Sequence, residues 1–205
     1  MLKKRAISQK TLKKPKLDSV LRALEKHKIM TLSELKKFGA SGIKLRRMAE
    51  TGQIVAVGSG IYAAPSLDPF VAAVLATSKY YPESVISGLT ALQIHGLAQE
   101  YIDKVDVDIP RETSIRNKLL KAHRVPSSRL IGIARLKYEG SQITIYDIDR
   151  TLCEAYRLDP SGPLFFKALK RYIKLGKINS DRIHQYDKAV KTKVLSHLRQ
   201  ELADA

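Results

Sequence analysis

A single cysteine, no tryptophan, and 20 acidic residues against 37 basic ones set the first limits on this 205-residue chain. Cys153 alone excludes a disulfide framework and a cysteine-based zinc site, so the reducing cytoplasm is the expected setting. No run approaches the roughly 18 apolar residues of a membrane span, and Met1-Leu2-Lys3-Lys4-Arg5 is followed by no apolar signal core. There is no internal repeat and, beyond a basic leading segment, no low-complexity stretch. The shortage of acid leaves a net charge of +17, which calls for a polyanionic partner, nucleic acid ahead of an anionic membrane surface.

The charge is uneven. Residues 1–65 hold 15 Lys/Arg against 4 Asp/Glu, net +11; residues 66–149 balance at 10 and 10; residues 150–205 hold 12 and 6, net +6. A cationic front end on a neutral body is the pattern of a DNA-binding module joined to a differently employed one. Seven Lys/Arg and no acid fall in residues 1–16, an expected flexible arm along phosphates or in a minor groove. The 44% hydrophobic content suits a globular protein of one large or two small domains.

What is present begins with residues 17–65. Leu17, Val20, Leu21 and Leu24 give helical spacing up to His27. Thr31-Leu32-Ser33-Glu34 is a capping box, predicting a helix that Lys36-Lys37-Phe38-Gly39 ends. Ser41 then caps a third helix over Gly42–Thr51, with Gly52 as its stop. At about 100° per residue, Leu45, Met48 and Ala49 share one side, while Ile43, Lys44, Arg46, Arg47 and Glu50 point elsewhere. The β-branched or small runs Gln53–Val57 and Ile61–Ala64 flank Gly58-Ser59-Gly60, a hairpin signal. The order helix, helix, basic helix, glycine-tipped hairpin predicts a winged helix-turn-helix. In that reading Lys44, Arg46 and Arg47 meet the major groove or its phosphates, and Ile43 is offered to a thymine methyl. Thr31 and Ser41 cap their helices and reach phosphate; Lys36, Lys37 and, at the wing tip, Ser59 touch the backbone.

Ser66-Leu67-Asp68-Pro69 reads as a linker and domain boundary. A helix over Phe70–Tyr81, a short strand at Ser84–Ile86, and a helix over Gly88–His95 capped by Ser87 follow. Lys104–Pro110 alternates with period two, as a half-buried strand does. A loop and helix are expected before a hairpin of Ile131–Tyr138 and Gln142–Tyr146, giving about four strands. Helices close the chain at Arg150–Arg157, Pro163–Leu175 and, as one long element, Ser180–Ala203. The fold class is therefore α+β: an N-terminal winged helix-turn-helix domain over 17–65, then a mixed α/β domain over 66–205 with a helical C-terminus.

Catalytic chemistry has one candidate, Asp106-Val107-Asp108, whose carboxylates lie on one side of a strand and suit a divalent cation. Asp147 and Asp149 read as turn and cap residues, His95 as a buried helix-end histidine, Cys153 as a small core residue. Gly58 and Gly60 lack the Gly-Lys-Ser/Thr of a phosphate loop. No catalytic residue, metal site or cofactor is assigned.

Three segments resemble the AbiEi-type antitoxins of type IV toxin–antitoxin systems, which are transcriptional regulators. These are the helix-turn-helix running into Gly58-Ser59-Gly60-Ile61-Tyr62-Ala63-Ala64-Pro65; Val85 to Leu97, with a serine-led helix ending in His95-Gly96-Leu97; and Ile143 to Ala155, with Arg150-Thr151-Leu152-Cys153-Glu154 after a strand. The likeness covers most of residues 30–157; the basic arm and the C-terminal helix have no counterpart in it. It implies a repressor of its own operon, binding double-stranded DNA at the operator, with a C-terminal domain that counters a nucleotidyltransferase-like toxin without a stable complex. A homodimer on an inverted repeat fits such a role. Two alternatives stand beside it: a solitary regulator with no toxin, and a metal-dependent nucleotidyltransferase-like enzyme using Asp106 and Asp108.

Overall fold

The structure, a computed structural model, describes residues 19–58 and 60–204. The expected basic arm of residues 1–16, Leu17 of the first helix, and Ser59, expected at a wing tip, lie outside the described residues. The chain is α+β.

Helix α1 (Ser19–His27) buries Val20, Ala23 and Leu24. A three-residue strand, β1 (Ile29–Thr31), follows directly, which the sequence reading did not anticipate. Its last residue doubles as the cap of α2 (Leu32–Lys36), so strand and cap signals overlap in one short stretch. Helix α3 (Gly42–Glu50) turns Leu45 and Met48 inward. Strands β2 (Val55–Gly58) and β3 (Ile61–Ala63) complete a sheet of order β1-β3-β2, antiparallel throughout. Val20, Leu24, Leu35, Leu45, Met48 and Ile54 form its core against the helices. Gly58 is required at the bulge in β2: its φ is +92°, and a Cβ there would lie 2.8 Å from the Asn117 side-chain oxygen.

Asp68 caps α4 (Pro69–Tyr80) through the amides of Phe70 and Val71, with Pro69 in the first turn where its missing N–H costs nothing. Then come β4 (Val85–Ile86), α5 (Gly88–Ile94) and β5 (Val105–Pro110). The segment expected to be a loop and helix instead forms β6 (Leu120–Val125) and a 3-10 turn at Ser127–Arg129. Only Leu120 and Val125 of β6 are buried, because it is an edge strand, and its solvated residues give no apolar alternation to read. Strands β7 (Ile133–Tyr138) and β8 (Ser141–Tyr146) form the expected hairpin. The sheet has five strands, not four, in the order β6-β5-β4-β8-β7; β4 runs antiparallel to β5 and parallel to β8, and β5 runs parallel to β6.

Strand β5 is buried on both faces rather than half-buried. Val105, Val107 and Ile109 pack with α4 in one hydrophobic cluster, which also takes in Ile29, Val57, Ile61 and Ala63 from the first sheet. Asp106 and Asp108 point the other way, into a buried polar layer under α5 and α6 (Ile148–Leu158). Alternation survives, but its polar half faces partners instead of water.

Helices α6, α7 (Pro163–Lys174), α8 (Ser180–Val190) and α9 (Val194–Ala203) pack around Phe165, Leu169, Tyr172, Ile183 and Leu198. The single helix expected over Ser180–Ala203 is broken. Lys191 takes a left-handed conformation at φ +59°, and Asp187 accepts from the Val194 and Leu195 amides and the Thr192 hydroxyl, starting a new helix. Among the described residues no helix is long and apolar enough to cross a membrane.

Candidate nucleic-acid interface

The outer face of α3 is set by its two ends. Ser41 Oγ accepts from the Lys44 amide at 3.2 Å, holding the N-terminus, and Thr51 donates its hydroxyl to the Arg47 carbonyl at 2.9 Å. With Leu45 and Met48 anchored inward, Ile43, Arg46 and Arg47 are exposed and Lys44 is half-buried. Ile43 is 85% exposed, which for a β-branched aliphatic side chain on a well-anchored helix leaves a large apolar surface in water.

A shallow cleft of about 480 Å³ runs along this helix, lined by Ser41, Ile43, Lys44, Arg47, Thr51 and Gln53 among others. Four of the residues singled out in sequence, Ser41, Ile43, Lys44 and Arg47, therefore meet on one surface. Arg46 is exposed outside the cleft, as are Lys36 and Lys37 at the end of α2. Thr51 and Gln53 were missed; the i, i+4 spacing of Thr51 from Arg47 was the available signal.

Thr31 is committed elsewhere. Its hydroxyl accepts from the Glu34 amide at 3.2 Å and donates to Glu34 Oε2 at 2.9 Å, while its own amide donates to that same oxygen at 2.6 Å. The capping box is complete, so Thr31 reaches a phosphate only by giving up a bond to Glu34. Burial pushes the Glu34 carboxyl up, but the Thr31 amide and the Tyr80 and Thr31 hydroxyls outweigh it and hold the group below the usual carboxylate value.

The carboxylates of β5 are not open. Asp106 Oδ1 accepts from His123 Nε2 at 3.0 Å and lies 3.7 Å from Lys121 Nζ, and its Oδ2 accepts from the Leu89 amide at 3.2 Å. Asp108 accepts from the Ser87 hydroxyl at 2.8 Å and the Tyr146 hydroxyl at 2.9 Å. Ser87 holds the N-cap position of α5 but makes no capping bond; its hydroxyl is drawn to the buried carboxylate instead. Burial first, and the nearby Glu154 second, push the Asp108 carboxyl up. Among the described residues no group of three or more His, Cys, Asp or Glu side chains is placed to hold a metal ion.

His95 is half-buried and donates from Nε2 to the Tyr146 carbonyl at 2.8 Å; burial holds its pKa down. Asp147 caps α6 through the Arg150 amide and binds Arg182 at 2.5 Å, and Asp149 accepts from the Tyr172 hydroxyl at 2.6 Å. Cys153 is buried, which raises its thiol to about 12 and suits a packing role.

No protein-family model matches the sequence, and no curated protein matches it. Among solved structures, the chain is similar to the crystal structure of the RV2827C protein from Mycobacterium tuberculosis, with a TM-score of 0.62 and 14% identity. The match covers 88% of this chain and 74% of that one. At that identity the likeness is one of fold.

Proposed function

We propose that this chain is a sequence-specific DNA-binding transcriptional regulator whose winged helix-turn-helix occupies residues 17–65, with α3 in the major groove and β2–β3 as the wing. The observation that carries the reading is the face of α3: cationic Lys44, Arg46 and Arg47 around an Ile43 left 85% exposed. Cations alone suit any polyanion. An exposed β-branched side chain among them suits a base edge, where a thymine methyl is the apolar partner.

In this reading residues 66–205 form the effector part, and the protein is a cytoplasmic autorepressor of the AbiEi antitoxin type, bound as a homodimer to an inverted repeat and countering a nucleotidyltransferase-like toxin. The sequence resemblance supports that extension. The test is a gel-shift titration against the DNA upstream of its own gene and a scrambled duplex at two salt concentrations. The expected result is a preference of about a thousandfold or more that survives higher salt. Equal and steeply salt-sensitive binding to both duplexes overturns the reading, reducing the charge to general polyanion affinity.

A further inference from the structure

The hairpin of β2 and β3 carries no charge of its own: from Thr51 to Leu67 the sequence holds no Lys, Arg, Asp or Glu. A wing that lies along DNA is held mainly by contacts to phosphate, and cations make the strongest of these. The hairpin is also short, since β2 ends at Gly58 and β3 starts at Ile61, so it places few groups beyond the sheet. If β2 and β3 meet a duplex, the charge at that end has to come from elsewhere in the chain.

The connection from β5 to β6 reaches the hairpin. Its Asn117 stands against Gly58, where an added Cβ would lie 3.3 Å from Asn117 Cγ. Asn117 is itself held in place. Its Oδ1 accepts from the Leu119 amide at 3.0 Å, its carbonyl accepts from the Leu120 amide at 3.1 Å, and its Nδ2 lies 3.5 Å from the Tyr81 hydroxyl at the end of α4. The Leu119 carbonyl in turn accepts from the Val105 amide at 2.8 Å, and Ile115 and Leu119 pack against the core around α4. The connection is therefore a fixed surface beside the hairpin.

The residues on either side of Asn117 are Arg116 and Lys118, both exposed. They belong to a local excess that the neutral total of residues 66–149 conceals: residues 111–124 hold five Lys/Arg and one acid, against five and nine in the rest of that region. Position agrees with charge. The five residues from Gln53, which lines the α3 cleft, to Gly58 span at most about 18 Å. Half a turn of B-DNA is about 17 Å, so a duplex seated on α3 brings its next stretch of backbone to the neighbourhood of Asn117. Beyond Leu119, Asp68 and Asp103 line an adjoining pocket, which confines the cationic surface to about one or two phosphates.

We propose that the β5–β6 connection, through Arg116 and Lys118, is a second DNA contact that clamps the phosphate backbone beside the hairpin, about half a helical turn from α3. This rests on the reading of α3 as the recognition helix. Phosphate contacts carry no base information, so the clamp adds affinity and fixes the register of α3 without changing which sequence is preferred. It also makes the larger α/β part a member of the DNA interface, supplying the cations that the uncharged hairpin lacks.

The test is a gel-shift titration of the full chain on the upstream and scrambled duplexes over a series of salt concentrations. Wild type is compared with the double variant Arg116→Ala/Lys118→Ala, with Lys118→Glu, and with Lys170→Ala/Lys174→Ala, which removes the same charge from exposed positions on α7. The double variant is expected to weaken binding to both duplexes alike, by about tenfold, and to lower the slope of log K against log salt by about one to two units. Lys118→Glu is expected to act in the same direction, the α7 variant to change neither quantity, and thermal melts to show that each variant is folded. Unchanged affinity and slope in both connection variants, with the upstream preference intact, overturns the clamp and leaves the α3 reading standing. Equal losses from the connection and α7 variants also overturn it, reducing the effect to general polyanion attraction. A wild type with no preference for the upstream duplex overturns the α3 reading, and the clamp with it.

Discussion

Tyr80, on α4, donates its hydroxyl to Glu34 Oε2 at 2.7 Å and so joins the capping box of α2 from outside the segment that contains it. Lys79, its neighbour, donates to the Ile29 carbonyl at 2.7 Å, and Lys28 Nζ reaches the Glu139 carbonyl across the same junction. With Ile29, Val57, Ile61 and Ala63 packed into the cluster that covers α4, the helices around α3 are fixed by polar and apolar contacts to the larger sheet. If α3 reads DNA as proposed, an orientation set in this way spares part of the entropy cost of binding.

Replacing Tyr80 by Phe removes one hydrogen bond to a carboxylate and leaves the ring in place. The expected cost is about 1–2 kcal/mol in urea unfolding. The effect has a definite pH sense. Glu34 is held below its ordinary value, so the stabilisation it brings is present above the unfolded-state pKa and is lost as pH falls through the lower folded-state one. The difference between wild type and Tyr80→Phe should therefore shrink in acid. A difference that stays constant across that range would show that Glu34 does not receive the bond in solution.

Gly132 offers a sharper structural test. Its φ is +73°, and a Cβ built there would lie 2.7 Å from Arg150 Cβ and 2.9 Å from Tyr186 Cζ. Gly132→Ala adds backbone strain and a clash with a buried side chain in one step, for an expected loss of about 2–4 kcal/mol. Chemical unfolding measures it. Gly176, also at positive φ at +65° but with nothing within 4 Å of an added Cβ, is the control that isolates the backbone part.

These two sites show what a sequence discloses and what it hides. The Thr31–Glu34 box, the Ser41 cap and the Ile133–Tyr146 hairpin were all legible, because each signal lies within a few residues of the structure it makes; Asp68-Pro69, expected as a linker, is instead the cap and first residue of α4. Strand β1 was hidden because its three residues run into a helix cap. Strand β6 was hidden because an edge strand needs no apolar face. The break at Lys191 depends on Asp187 folding back to cap α9, and nothing in the apolar spacing of Val190 and Val194 records it. In the candidate interface, Ser41, Ile43, Lys44 and Arg47 were readable as one helix face. The burial of Asp108 against the Ser87 and Tyr146 hydroxyls was not, since those partners lie 21 and 38 positions away and only the fold brings them together.

His123 carries the next prediction. The Asp106 hydrogen bond outweighs burial and raises its pKa, so the stability it contributes is fully present below its ordinary value of about 6.5 and is lost as pH rises through the higher folded-state value. Thermal melts of wild type and His123→Gln across this range should converge toward high pH. Because the side chain is 41% exposed, the effect is modest and weakens further with added salt. Curves that diverge as pH rises would mean that the imidazole is held neutral and the Asp106 bond is not charge-assisted.

On α3 the two kinds of side chain should fail in different ways. Ile43→Ser leaves the charge untouched and removes an apolar surface; if that surface meets a thymine methyl, binding to the preferred duplex weakens while binding to the scrambled one does not change. Arg47→Ala removes a cation. If Arg47 reads a base, the loss is about 1–3 kcal/mol and is confined to the preferred site. If it clamps a phosphate, both duplexes lose affinity together and the slope of log K against log salt falls by about one unit. The same titrations separate the alternatives because Ile43 and Arg47 line one cleft, four residues apart on one helix, so a single bound geometry must account for both results. An Ile43→Ser protein that binds every duplex as the wild type does would leave that exposed isoleucine without a role in recognition and would remove the main support for a base-reading α3.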